Sequence, residues 1–317
     1  MELKPLRSFV ALAEELHFGR AAERLCIVQP ALSMQIRALE DELGVRLFYR
    51  DRHRVELTAA GQIFLPEARA TLEQAQRAIN RVQLADHGEI GQIRIGFVSS
   101  LLPYYLPQLL RELHDRYPLI DLELKDMATP DQLQALRDKR IDFGFVRLPI
   151  DAKTVMTEPV LEESFIVALP EDHPLCALQT IAPTDLQGHP AFVLARRFAP
   201  GFYDELLLAL KRDGLTLQIT EEFGEFTTMT ALVAAGMGIG IMPRLAMAAK
   251  PVNVEIRDLV LSHHQSRVGL AWLAPFESAI QRTFHAVATR IRPPAATARR
   301  QTGGPPPARI TRQRSRE

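Results

Sequence analysis

A chain of 317 residues is longer than one ordinary domain and suits two or three. Its 47% hydrophobic and 24% charged content exclude a wholly disordered chain and fit a soluble globular one. With 38 basic and 38 acidic residues the net charge is zero, so an overall basic nucleic-acid binder is excluded and any such surface must be local.

The two cysteines, Cys26 and Cys176, are far apart and form no CxxC pair, which points to a reducing compartment and to Cys26 as a buried structural thiol. No run approaches the roughly 18 apolar residues that a membrane span needs. Near the N-terminus the apolar stretch Phe9 to Ala13 stops at Glu14-Glu15, too short for a secretory core, so a cytoplasmic protein with no membrane partner is expected.

Leu6, Phe9, Val10, Ala13 and Leu16 are spaced for one helical face. A second short helix follows over Phe18 to Leu25, with Ala21, Ala22 and Leu25 inward. After the break Cys26-Ile27-Val28-Gln29, Pro30 stands where proline suits a first helical turn. Leu32, Ile36, Leu39 and Leu43 then carry a third amphipathic helix, with the acidic run Glu40-Asp41-Glu42 near its end and Gly44 as its stop. Three short helices with a tight turn between the last two make a helix-turn-helix.

Two short strands around Leu47-Phe48-Tyr49 and Val55-Glu56-Leu57 flank the basic run Arg50-Asp51-Arg52-His53-Arg54, a wing with a charged tip. A helix that enters the major groove presents small or hydrogen-bonding residues on its N-terminal half. On the third helix these are Gln29, Pro30, Ser33, Met34 and Arg37. Gln29 suits an adenine edge, Ser33 a base or phosphate, Arg37 guanine or phosphate, and Pro30 and Met34 thymine methyls. Arg50, Arg52 and Arg54 suit phosphates or the minor groove, although Arg54 has Glu56 and Asp51 as alternative partners. The DNA-binding domain is expected over residues 1–58.

Thr58 can cap a helix over residues 59–88 whose stripe Phe64, Ala68, Leu72, Ala75, Ile79 and Val82 resembles a coiled-coil seam. About 30 residues at ~1.5 Å each give roughly 45 Å, too long for a small domain to cover, so a partner chain is expected. From Gln92 strands alternate with helices, which predicts parallel sheets covered on both faces and, over some 200 residues, two lobes. This domain is expected over residues 91–292, with lobe 1 at 91–161 and 267–292 and lobe 2 at 162–266. Residues 293–317, rich in Pro, Gly and Arg, read as a disordered basic tail, either solvated or in supplementary contact with DNA.

Two features invite over-reading. Gly236-Met237-Gly238-Ile239-Gly240 precedes a strand, which suits a helix-to-strand turn and not a nucleotide loop, so no cofactor is expected. His263-His264 has no third ligand at metal spacing, so no metal is expected.

Residues 1–61 resemble the DNA-binding segment of LysR-type transcriptional regulators: AAERL, QPALS, QIRALEDELGVRLF and LTAAG stand in order at that family's spacing. Met34 departs from the pattern, since many members carry Arg or another polar residue there. The resemblance continues more loosely to about residue 292, where it implies an effector domain like the type-2 periplasmic binding proteins. It further implies dimers joined by the linker helix, assembly to a tetramer, double-stranded promoter DNA and RNA polymerase as partners, activation or repression of neighbouring genes, and no enzymatic activity.

In a two-lobed α/β protein the ligand sits at the carboxyl ends of the strands. The predicted strands end at Val98-Ser99-Ser100, Ala128-Thr129-Pro130 and Val146-Arg147. Ser99, Ser100 and Thr129 offer hydroxyls and helix-start N–H groups, and Arg147 a fixed charge, a set that suits an organic anion. Phe202 is expected to cover the ligand's apolar part. Ser99 and Thr129 can equally be helix caps, and Arg147 a structural partner of Asp142 or Glu225. These positions are similar to those of family members that control aromatic-compound degradation and sense muconate-like carboxylates. The alternatives are a solute-binding protein, which would need an export signal, and an enzyme, which would need a nucleophile beside a base.

Overall fold

The computed structural model describes residues 2–50, 54–247, 251–262 and 265–291, Arg50 in its backbone alone. The chain divides into two compact units, Met1–His87 and Gly88–Glu317. The wing tip Arg52, the pair His263-His264 and the C-terminal tail lie outside the described residues.

In the first unit, α1 (Leu3–Glu15), α2 (Phe18–Arg24) and α3 (Gln29–Leu43) precede the hairpin β1 (Phe48–Arg50) and β2 (Val55–Leu57), and α4 (Ala59–Asp86) follows. Pro30 sits in the first turn of α3 and Gly44 ends it at φ +69°, a conformation open to glycine at little cost. The inward faces of α1 and α3 supply one core of Leu6, Phe9, Leu12, Leu32, Ile36 and Leu39, to which α2 adds Ala21 and Ala22. The Phe9 ring lies 5.4 Å from that of Phe48 and 5.1 Å from that of Phe64, joining α1 to the wing and to α4. Truncating so central an aromatic costs about 3–5 kcal/mol.

Two expectations change here. The stripe on α4 is divided: Ala68 is buried, and Phe64 and Leu72 pack against the unit's own core, while Ile79 and Val82 are exposed. Its first half therefore needs no partner chain. Cys26 is exposed and not buried, in the turn after α2 at φ +54°.

The second unit holds two lobes. The first is a five-stranded sheet in the order β4 (Leu119–Asp126), β3 (Ile90–Phe97), β5 (Phe143–Arg147), β13 (Ser266–Leu273) and β6 (Val155–Glu163). Helices α5 (Tyr105–Arg116), α6 (Thr129–Arg137) and α9 (Ala279–Ala288) accompany it. The second is a six-stranded sheet in the order β10 (Ile219–Phe223), β9 (Ala191–Leu194), β11 (Ile239–Pro243), β7 (Phe165–Pro170), β12 (Val254–Leu259) and β8 (Thr180–Ile181), with α7 (Pro200–Arg212) and α8 (Phe226–Ala234). Each lobe has its own apolar core, around Phe143 and Phe284 in the first and Phe165 and Phe202 in the second.

The sheets are mixed, not parallel. β13 runs antiparallel to β5 and β6, and β7 antiparallel to β11 and β12. Strand–helix alternation stops where the chain crosses between lobes: β6 leads straight into β7, and β13 returns to the first sheet. β6 and β12 were not foreseen because their sequences mix charged and apolar residues, and β8 because it is only two residues long. The turn around Met237 joins α8 to β11, a helix to a strand.

Candidate nucleic-acid interface and ligand cleft

The core-facing residues Leu32, Ile36 and Leu39 fix which side of α3 faces out. Gln29, Pro30, Met34 and Arg37 are exposed there and Ser33 is half-buried. Met34 is 73% exposed and the neighbouring Val28 69%, apolar surface that the unit's own packing does not use. Glu40, read from sequence only as part of an acidic run, fixes the start of the wing against the end of α3. Its Oε1 accepts from the N–H groups of Leu47 at 2.8 Å and Phe48 at 3.2 Å. Thr58 Oγ1 accepts from Gly61 N–H at 3.0 Å and donates to Arg46 O at 2.7 Å, starting α4 beside the same hairpin. Arg54 pairs with Glu56, the alternative that its sequence left open. Glu14 receives Arg24 and Arg69, each at 2.7 Å, which ties α1 to α2 and α4 and holds its carboxyl below the usual range, Arg69 contributing most.

Between the lobes of the second unit lies a cleft of about 260 Å³. Strand ends of the first lobe supply Val98, Ser99, Ser100, Asp126, Met127, Ala128 and Arg147, and the second lobe supplies Leu194, Phe198, Ala199, Gly224, Glu225 and Phe226. Arg147 at the end of β5 is wholly buried. Its Nη1 donates to Glu163 Oε1 at 3.0 Å and to Ser266 Oγ at 2.5 Å, and its Nη2 to Ser100 Oγ at 2.7 Å. The rings of Phe202 and Phe226 stand 5.4 and 5.8 Å from its guanidinium carbon. Its Nε has no hydrogen-bond partner. Burial pulls this guanidinium below its ordinary range and the Glu163 charge opposes that.

Several sequence expectations need correction at this point. Arg147 pairs with neither Asp142, which holds Arg94 at 2.9 Å, nor Glu225; its partner is Glu163 at the end of β6. Phe202 is 2% exposed, stacks on Phe165 with centroids 5.8 Å apart and does not line the cleft; Phe198 and Phe226 do. Thr129 is also buried away from the cleft. Its hydroxyl accepts from Arg147 N–H at 3.1 Å, and its own N–H donates to Phe198 O at 3.0 Å, a backbone tie between the lobes. A second tie is steric: a Cβ on Gly201, at the start of α7, would stand 2.1 Å from Pro149 O, so only glycine permits this approach. Ser99 and Ser100 line the cleft as expected from the strand ends.

Residues 3–62 match the family model described as a bacterial regulatory helix-turn-helix protein of the lysR family, and residues 86–291 match the LysR substrate binding domain. The chain belongs to the LysR family. It is 36% identical to the HTH-type transcriptional regulator AlsR of Bacillus subtilis over 82% of this chain and 86% of that protein. Among solved structures it is similar to CbnR, a LysR family transcriptional regulator, with a TM-score of 0.84 and 27% identity over 91% of this chain and 100% of that one. Full-length CbnR in complex with its target DNA matches with a TM-score of 0.79 and 27% identity over 92% of this chain and 99% of that one. This LysR protein is thus a DNA-binding transcription regulator with an effector-binding domain.

Two charged residues that line the cleft of the regulator were not assigned to it from the sequence. Asp126 ends β4 and Glu225 precedes α8. The strand-end rule that found Ser99 reaches Asp126 as well, since the residue closes the second strand. Glu225 would have needed the same rule applied to the second lobe. The Asp126 carboxyl accepts from Ser99 N–H, yet desolvation and then the Glu225 charge push it above the usual range. Glu225 accepts from Thr227 Oγ1 at 3.2 Å. Among the described residues no cluster of three or more His, Cys, Asp and Glu is grouped to hold a metal, and no helix is long and apolar enough to cross a membrane.

Proposed function

We propose that this regulator reads promoter DNA through the exposed face of α3, with Gln29, Pro30, Ser33, Met34 and Arg37 toward the bases and Arg50, Arg52 and Arg54 of the wing toward the backbone. The exposed end of the α4 stripe, Ile79 and Val82, is the surface through which two copies associate, further assembly to a tetramer and contact with RNA polymerase following the family pattern.

The cleft between the lobes holds the small molecule that sets the output. One observation supports this most: hydroxyl and guanidinium groups meet there at the carboxyl ends of strands, in a space large enough for a small organic molecule. Ser99, Ser100 and Arg147 suit an acceptor end such as a carboxylate, the class that the strand-end residues suggested. Arg147 does so as the floor of the site and not as a free cation, because Glu163 already balances its charge. Among the described residues no histidine lines the cleft to activate Ser99 or Ser100, which favours binding over catalysis.

Footprinting the DNA upstream of the protein's own gene tests the reading, with benzoate, cis,cis-muconate and other small carboxylates, on the natural chain and on Ala128→Trp, which fills the cleft. A protected region whose extent changes with ligand for the natural chain alone is the expected result. Absence of protection, or an equal ligand response in both proteins, overturns it.

A further inference from the structure

The charges around the cleft do not suit a simple anion. Arg147 is its one lining cation among the described residues, and Glu163 neutralises it from 3.0 Å with both side chains 1% exposed. Asp126 and Glu225 remain. Neither has a lysine or arginine partner among the described residues, and they belong to opposite lobes, one ending β4 and the other immediately preceding α8. Both line the one cleft, where the charge of Glu225 adds to desolvation in raising the proton affinity of Asp126. A dicarboxylate placed between them would add like charges to a site already in excess of negative charge.

At the other end the demand is reversed. Arg147 Nε–H is a buried donor without an acceptor, and Ser100 Oγ, which accepts from Arg147 Nη2, keeps its own proton to donate. Ser99 adds a second hydroxyl. A buried donor left unsatisfied is costly, and a ligand acceptor would relieve it. Met127, Phe198 and Phe226 provide apolar surface.

We propose that the effector is a zwitterion of the amino-acid type, its carboxylate toward Ser99, Ser100 and Arg147 and its ammonium between Asp126 and Glu225. This rests on the cleft being the effector site. It also supplies a coupling. Without ligand, two like charges line the cleft from opposite lobes and oppose closure. An ammonium between them, with three N–H donors, turns that repulsion into attraction to both sides, so the ligand favours the closed arrangement by the differential contact that a conformational switch requires.

The test is calorimetric titration of the full chain at neutral pH with the common amino acids, each binder then compared with its matched carboxylic acid and amine, such as phenylalanine against 3-phenylpropanoate and 2-phenylethylamine. At least one amino acid should bind at millimolar concentration or below, about tenfold or more tighter than either half-molecule. Glu225→Gln should weaken it by about tenfold while 3-phenylpropanoate binds as well or better. The proposal is overturned if no amino acid binds, if the carboxylic acids or cis,cis-muconate bind more tightly than the amino acids, or if Glu225→Gln leaves amino-acid binding unchanged. Ala128→Trp separates the choice of site from the choice of ligand. Binding of any of these probes that survives Ala128→Trp in a folded protein refutes the cleft as the site, whereas binding lost there but strongest for the carboxylates refutes the zwitterion alone.

Discussion

Arg147 Nη1 and Glu163 Oε1 meet at 3.0 Å, both side chains 1% exposed, where β5 and β6 end and the chain leaves the first lobe for the second. Glu163 Oε2 also accepts from Leu245 N–H at 2.6 Å, so the pair holds the second lobe as well as the first. Removing either partner leaves a buried charge uncompensated. Glu163→Ala should therefore destabilise the second unit by about 3–5 kcal/mol, with Arg147→Ala similar, while an apolar pair of like volume at both positions should cost far less. Urea unfolding monitored through Trp272, which lies in this unit, measures it. A loss under about 1 kcal/mol for the single substitutions would place the pair among surface ion pairs in energetic terms.

Asp126 predicts a pH effect of definite sign. Its carboxyl is raised in the folded state by desolvation and then by Glu225, so the fold binds this proton more tightly than the unfolded chain does. The stability it contributes is fully present below its unfolded value and is lost as pH rises through the folded one. Asp126→Asn should accordingly raise the melting temperature at neutral pH, by less as the pH falls, so that the decline toward acid is steeper than in the natural chain. Glu14 has the opposite sign: lowered by Arg69 and Arg24, it contributes stability above its unfolded value that disappears as pH falls through the folded one. Thermal melts of Asp126→Asn and Glu14→Gln across the acidic range check both directions.

The reading face of α3 predicts base preferences. Met34 is exposed and apolar, so replacing thymine by uracil at the contacted step should weaken binding, and Met34→Arg should move the preference toward guanine. Ser33→Ala and Arg37→Ala should each cost about 1–3 kcal/mol at the natural site and relax the preference at the contacted base. Selection from a randomised duplex pool with the natural chain and Met34→Arg reads out the change of base preference; identical preferences in both proteins would remove Met34 from the reading face.

Ile79 and Val82 on α4 are 46% and 71% exposed, whereas Phe64 and Leu72 on the same stripe are used by their own unit. Charging the exposed half by Ile79→Glu with Val82→Glu should shift sedimentation toward the monomer and leave the melting of the first unit nearly unchanged. A Phe64→Ala substitution should do the reverse.

Much of the first unit was legible because each boundary has a local cause. Pro30 and Gly44 bracket α3, Thr58 starts α4, and the spacing of Leu32, Ile36 and Leu39 assigns the buried face of α3. The strand-end rule located Ser99, Ser100 and Arg147 for a similar reason, since apolar runs mark strands and strand ends mark clefts. What was not legible depends on pairings distant in sequence. Nothing near Arg147 distinguishes Glu163 from Asp142 as its partner; the choice follows from β13 lying between β5 and β6. Phe202 was misplaced because a helical period shows that a ring is buried but not whether it meets a cleft or a core. The antiparallel strands were missed because alternation with helices implies parallel neighbours only until the chain changes lobe.

If sequence recognition resides in the exposed face of α3, it must be lost when the polar groups of that face are removed. Fluorescence anisotropy of the full chain against its own upstream region and against a scrambled duplex of equal length, at moderate salt, tests this most directly when repeated with Ser33→Ala and Arg37→Ala. The expected result is a clear preference for the natural duplex that both substitutions erode while binding to the scrambled duplex changes little. Equal binding to both duplexes by the natural chain, or an undiminished preference in both variants, would contradict it.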